Sequence, residues 1–243
     1  MKRLIPVLTV GWAVFFLLTF CGCDSGSGGG GDGGSCPKPT LDISLCDPAT
    51  AVFSNPTTID NGFFPLEIDM EMVLEGEEDG EPIRLEITVP GDTKEVAGIN
   101  TLVMVEKEYE DGELVENSSN YMAQADDGTV CYFGEDVNIY EEGVVVSHEG
   151  AWLAGVNGAQ PGIMMPSNPQ VGQTFYQEYA EGVAQDMSSV VALAQAIDVM
   201  AGKFSDTVTM EDCNPLDDAS KDEKVYVRDI GLAIDEAVEL ISY

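Results

Sequence analysis

Positive charge is scarce in this chain. Ten Lys and Arg face 44 Asp and Glu, a formal net charge of −34. No basic cluster exists beyond Lys2-Arg3, so phosphate neutralisation is unsupported and a nucleic-acid partner is excluded. Histidine is nearly absent as well. His148 is the single one, and it would have to serve any Ser-His-Asp triad and most zinc sites. No Gly-x-Ser-x-Gly elbow, His-Glu-x-x-His pair or EF-hand loop occurs. The glycine run Gly28 to Gly34 lacks a P-loop lysine, so it is no phosphate cradle. The chain does have hydrophobic residues, 44% of 243. That is enough to fill the core of one domain and to argue against wholesale disorder.

The basic pair is followed by an apolar stretch, Leu4 to Phe20, with no acid before Asp24. This is the layout of an export signal. Its end, Thr19-Phe20-Cys21-Gly22-Cys23, resembles the lipobox of bacterial lipoproteins. Gly22 supplies the small residue that such a box requires before its cysteine. The resemblance implies a signal peptide over 1–22 and diacylglycerol and palmitate on Cys23. Ordinary cleavage with free secretion is the alternative. Residues 23–35 are Gly/Ser-rich and read as a flexible tether. The first partner expected is therefore a lipid bilayer, reached through acylated Cys23. The expected location is a bacterial cell envelope, with inner and outer membrane both open.

Four cysteines then remain: Cys36, Cys46, Cys131 and Cys213. An exported chain meets an oxidising compartment, so all four are disulfide candidates. Three pairings exist. The local choice joins Cys36 to Cys46 and leaves Cys131 with Cys213. Zinc thiolate is disfavoured because no Cys-x₂-Cys spacing follows residue 23.

Residues 36–62 are rich in Pro, Asp, Thr and Asn and read as an irregular lead-in. From residue 63 to 243 the pattern is that of a β-rich domain. Leu66, Ile68, Met70, Met72 and Leu74 alternate with mostly acidic residues, and Ile83, Leu85, Ile87 and Val89 follow after a Gly-Glu-Glu-Asp-Gly turn. The device repeats over Ile99–Tyr109, Leu114–Met122, Val130–Phe133, Val137–Tyr140 and Val144–Val146, with Asp-Gly or Glu-Gly turns. Residues 150–175 read as a Gly-rich loop packing apolar groups over a barrel mouth or sheet edge. Residues 183–200 fit both periods and are read as extended, with a helical turn near Asp186–Val190. The fold class expected is mainly β: an antiparallel meander forming a curved sheet or half-barrel, with few or no helices.

Three segments carry a family resemblance: Phe63-Phe64-Pro65-Leu66, Tyr132-Phe133-Gly134-Glu135-Asp136-Val137, and Gly150 to Pro166 with its Trp152 and Pro161-Gly162-Ile163-Met164-Met165-Pro166. They resemble a family of uncharacterised exported bacterial proteins, many of them lipoproteins. The resemblance implies an exported β-rich domain and no particular activity. Where that family continues Phe-Pro-Leu with Pro-Gly-Thr, this chain has Glu67-Ile68-Asp69.

Trp152, Tyr132, Phe133, Tyr176 and Tyr179 are the candidates to line a ligand pocket, against the plainer reading of core aromatics. Glu135 and Asp136 are the candidate carboxylates for a Ca²⁺ ion, against the plainer reading of a solvated acidic face. No other cofactor is expected. The functional expectation is a membrane-anchored envelope lipoprotein whose β domain binds a small molecule or an envelope protein, with no catalytic residue assigned. The alternative is a carboxylate-dependent, Ca-assisted envelope hydrolase.

Overall fold

The computed structural model describes residues 36–216 and 221–243. The signal segment 1–22, Cys23 and the tether lie outside the described residues. Among the described residues a single turn of 3-10 helix, Ile43–Leu45, precedes strands alone. The strands are β1 (Ile59–Asn61), β2 (Phe64–Leu66), β3 (Glu71–Glu78), β4 (Glu81–Thr88), β5 (Thr93–Val96), β6 (Ile99–Glu110) and β7 (Glu113–Gln124). Next come β8 (Val130–Glu141), β9 (Val144–Ser147), β10 (Trp152–Leu153), β11 (Gln160–Met165), β12 (Thr174–Tyr176) and β13 (Glu178–Tyr179). The last are β14 (Met187–Leu193), β15 (Ile197–Val199), β16 (Gly202–Phe204), β17 (Thr207–Cys213), β18 (Lys221–Val227), β19 (Gly231–Asp235) and β20 (Val238–Ser242).

Alternation makes the strands, and turn chemistry joins them. Asp79-Gly80 and Asp111-Gly112 each place two successive residues at positive φ, 51° and 90° in the first and 46° and 79° in the second. This is the mirror-image turn whose twist matches paired strands. β3–β4 and β6–β7 are the resulting hairpins.

The sheet is antiparallel and runs β12-β14-β17-β18-β19-β20-β3-β4-β6-β7-β8-β11-β13. Its two ends are neighbours in the chain. Only Gln177 separates β12, which pairs with β14, from β13, which pairs with β11. The segment 174–179 thus bridges both edges, and the sheet curves into a nearly closed barrel. Gly162 permits that closure. A Cβ there would lie 1.9 Å from the Gln177 carbonyl oxygen, so any side chain would push the bridging segment away.

The interior changes character along the strands. On β6 the inward positions run Leu102, Met104, Glu106, Glu108, and β7 returns through Glu116, Ser118, Asn120 and Met122, all buried. On β17 and β18 the cross-strand pairs run from Val208–Tyr226 through Met210–Lys224 to Asp212–Asp222. At the apolar end the β1–β2 hairpin packs Phe64 on Tyr226, with ring centroids 6.1 Å apart.

The lead-in is strapped outside. Thr40 and Leu41 donate their N–H groups to the Thr174 carbonyl at 2.8 and 3.0 Å. Phe53 meets Phe133 edge-on at 5.7 Å. The disulfides are Cys36–Cys213 and Cys46–Cys131, so the local pairing expected for Cys36 and Cys46 is corrected. The stretch from Lys38 to Leu41 is held against β12 by its hydrogen bonds to Thr174. Cys36 is thereby carried towards the end of β17, while the 3-10 turn delivers Cys46 to β8.

Three further expectations shift. The long alternating run from Leu66 breaks at Asp69, which has φ 68°, leaving Ile68 exposed. The turn of helix expected at Asp186–Val190 is the start of β14 instead, which pairs with β17 from Met187 onward. The segment 150–175 is only partly loop: β10 and β11 both join β8.

Candidate functional site

The polar part of the barrel interior is built from single residues of many strands. β6 and β7 supply Glu106 and Glu116, β8 supplies Tyr132 and Glu135, and β10 supplies Trp152. β13 supplies Glu178, the loop before β14 supplies Asp186, and β17 to β19 supply Asp212, Lys224, Tyr226 and Asp235. Glu135 and Trp152 stand directly opposite each other in the β8–β10 ladder, so both project from the same face. Gly134 makes their approach close. Its φ is +128°, and a Cβ there would meet the Trp152 carbonyl oxygen at 2.3 Å.

Lys224 anchors one side of the cluster. Its side chain is 1% exposed, with Nζ 3.2 Å from Asp212 Oδ2 and 3.7 Å from Asp235 Oδ1. Burial opposes its charge, but Asp235 and Asp212 outweigh burial and hold it well above the ordinary lysine range. Lys224 is therefore charged. The carboxyls around it are not matched one for one. Burial first, then Asp235 and against Lys224, raises Glu106 to about 8. Burial raises Glu116 to about 7. Asp235 rises to about 6 through burial, despite Lys224.

The other side of the cluster holds acids without a cation. Glu135 is 1% exposed, and neither carboxyl oxygen has a hydrogen-bond partner of normal geometry. Burial raises it well above the usual range, Glu116, Glu106 and Asp186 add to this, and only the neighbouring Tyr132 hydroxyl opposes it. That hydroxyl also donates to Asn120 Oδ1 at 2.5 Å. Burial likewise raises Glu178, assisted by Asp186 and Glu135. Asp186, half-buried by surface, is raised less because Glu178 donates to it. The Trp152 indole stabilises the Glu178 carboxylate from beyond normal hydrogen-bond geometry, and its own Nε1 has no partner.

A cavity of about 240 Å³ adjoins this side. Glu135, Asp136, Trp152, Val156, Ala180 and Val183 are among its walls. Glu135 and Trp152 belong both to the cavity and to the interior cluster.

The sequence candidates are distributed unevenly around it. Trp152 lines the cavity, and Tyr132 backs it edge-on at 5.4 Å. Phe133, next along the strand, faces outward under the lead-in. Tyr176 and Tyr179 pair with each other at 4.9 Å, half-buried on the bridging segment and not among the cavity walls. Glu135 and Asp136 point to opposite faces. Asp136 is exposed and accepts from Lys94 at 2.9 Å and from Tyr121. Burial works against its charge, but those two bonds hold it below the usual range. The two therefore do not converge on one ion. Among the described residues no group of three or more His, Cys, Asp or Glu is placed to hold a metal. His148 donates its Nδ1–H to the Val137 carbonyl, 2.7 Å away, on β8.

Sequence reading missed Glu106, Glu116, Asp186, Asp212, Lys224 and Asp235. The available signal was parity. Leu102, Met104 and Glu106 share one strand face, as do Met210 and Asp212, so these acids sit where apolar residues point inward. Comparison with known proteins adds no further site information: no family model, curated protein or solved structure matches the chain.

Proposed function

We propose that this protein is a lipid-anchored component of a bacterial cell envelope whose β-barrel binds a small molecule in the cavity walled by β8, β10 and the segments 156–159 and 180–183. In this reading residues 1–22 export the chain, acylated Cys23 holds it to the bilayer, and residues 23–35 let the barrel stand clear of the surface. The two disulfides fit an oxidising compartment. One observation carries the binding reading. The cavity wall includes Glu135 and Trp152, both at least nine-tenths buried, and each ends in polar atoms without partners. Buried polar groups are normally satisfied, so an unpaired set directly behind a cavity wall supports a ligand site there.

Two measurements test the proposal. Radiolabelled palmitate should mark the protein, and Cys23→Ser should move it from the membrane to the soluble fraction. Solvent extraction of the purified protein, followed by mass spectrometry, should release a small molecule that a Trp152→Ala variant no longer carries. Unchanged fractionation refutes the anchor, and an extract identical for both proteins refutes the site.

The carboxylate-dependent hydrolase is the second reading, and the Glu178–Asp186 pair favours it. Two neighbouring carboxyls, both raised by burial, are a general acid–base arrangement. If any turnover is found, Asp186→Asn should abolish it.

A further inference from the structure

We infer that the outer edge of β9 takes up an extended segment of a partner protein as an added strand, and that this segment is rich in β-branched residues with Lys or Arg at both ends. The inference goes beyond the small-molecule reading and does not depend on it. β9 pairs with β8 alone, so its other edge has no strand beside it among the described residues. Glu142 and Gly143, at φ 51° and 75°, form the two-residue turn between the strands. In such a hairpin the residues flanking the turn, Glu141 and Val144, exchange the hydrogen bonds, so the N–H and C=O of Val145 point away from β8. Val145 makes no backbone hydrogen bond outside the strand ladder among the described residues.

The side chains on this edge are apolar and uncovered. Val144, Val145 and Val146 are 64%, 40% and 52% exposed. No other exposed large hydrophobic residues among the described ones are adjacent in sequence. Natural edge strands are normally blunted by Lys, Pro or an inward charge, and β9, Val-Val-Val-Ser, carries none of these. Such an edge recruits a further strand through main-chain hydrogen bonds, while the neighbouring side chains set which sequence is preferred. β-Branched residues are the ones that pack well beside valine across a ladder.

Charge decides between partners. The open row is short, four residues with a bulge at Val146, so the groups at its ends weigh heavily. Glu141 and Glu142 stand before it and Glu149 after it, all exposed. No ion pair among the described residues engages any of the three. A basic residue at each end of the added strand supplies the partners. A second copy of this chain does the opposite. Antiparallel pairing of two β9 edges sets Glu149 of one copy against Glu141 and Glu142 of the other, and parallel pairing sets like on like. Each copy also carries a net charge of −34.

The test is fluorescence anisotropy with the full chain in detergent and labelled peptides. The probe is Lys-Lys-Val-Thr-Val-Thr-Val-Lys-Lys. One control replaces every Lys by Glu. A second keeps the Lys residues and methylates the central backbone nitrogens, which preserves charge and side chains but removes the donors of a strand. The expected result is saturable binding of the probe alone, weakening as salt is raised because the end charges are exposed. Val145→Pro removes the outward N–H and should weaken binding roughly 3- to 10-fold, the value of a backbone hydrogen bond. Val146→Lys should weaken it as well, by repelling the probe's own Lys residues. Val146 is exposed, so that variant keeps the test intact if the Pro variant folds poorly. No binding of the probe, equal binding of either control, or binding unchanged in Val146→Lys overturns the inference. A dimer in sedimentation that Val146→Lys dissolves makes a second copy the occupant and overturns it too. Solvent extraction tests the small-molecule cavity separately, so either reading can fail without the other.

Discussion

Glu106→Gln is the sharpest probe of the buried acids. Glu106 is 7% exposed, and its folded carboxyl titrates at about 8 against an ordinary 4.5. Burial is the main cause, followed by repulsion from Asp235, with Lys224 acting the other way. Between those two pH values the folded chain keeps a proton that the unfolded chain has lost. Folding stability is complete in this respect below pH 4.5 and falls as pH rises through 8. The slope is about 1.4 kcal/mol per pH unit, so the loss approaches 4–5 kcal/mol as a ceiling. That is a large share of a total of about 5–15 kcal/mol. Glutamine has the shape of the neutral acid and cannot ionise. Urea denaturation should give wild type and variant within about 1 kcal/mol of each other at pH 5. At pH 8.5 the variant should be more stable by about 2–5 kcal/mol. An offset of the same size at both pH values, or a wild type that gains stability between pH 5 and 8.5, refutes the reasoning.

Other perturbations test other parts of the fold. Lys224→Met leaves Asp212 and Asp235 buried without their cation and should cost about 3–5 kcal/mol at pH 8, measured by urea denaturation. The loss should shrink towards pH 5 as Asp235 takes up a proton, and adding Asp212→Asn with Asp235→Asn should recover much of it. Gly162→Ala drives a methyl into the Gln177 carbonyl and should destabilise by at least about 3 kcal/mol, read as a lowered thermal midpoint. Replacing Cys46 and Cys131 together by Ser opens a link that spans 85 residues of sequence. It should cost about 2–5 kcal/mol and give a protein whose melting responds to reductant only through Cys36–Cys213.

Local features of the sequence made half of this architecture legible. The β3–β4 and β6–β7 hairpins follow from strict alternation and Asp-Gly turns, which depend on neighbours two to four residues away. Barrel closure was not legible in the same way. It depends on Gln177 splitting one segment between two distant partners, and on Gly162 for a contact 15 residues later. The disulfides were misassigned for a related reason, since nothing near Cys36 or Cys46 announces that the lead-in crosses the outside of the sheet. At the site, Trp152, Tyr132 and Glu135 stood out through their motif. Asp136 was grouped with Glu135 although neighbouring strand residues face opposite ways. The buried acids were hidden by abundance, because one inward Glu among 44 acidic residues looks like an outward one. Only strand parity, checked against Leu102 and Met104, separates them.

Infrared spectroscopy of carboxyl groups at pH 7 tests the central claim most directly, since neutral acids and carboxylates absorb at separate frequencies. Wild-type protein should show a neutral-acid band, part of which disappears in Glu106→Gln, whose carboxyl titrates at about 8 in the folded chain. A spectrum with only carboxylate bands at pH 7, or a neutral-acid band indifferent to the substitution, would contradict the account.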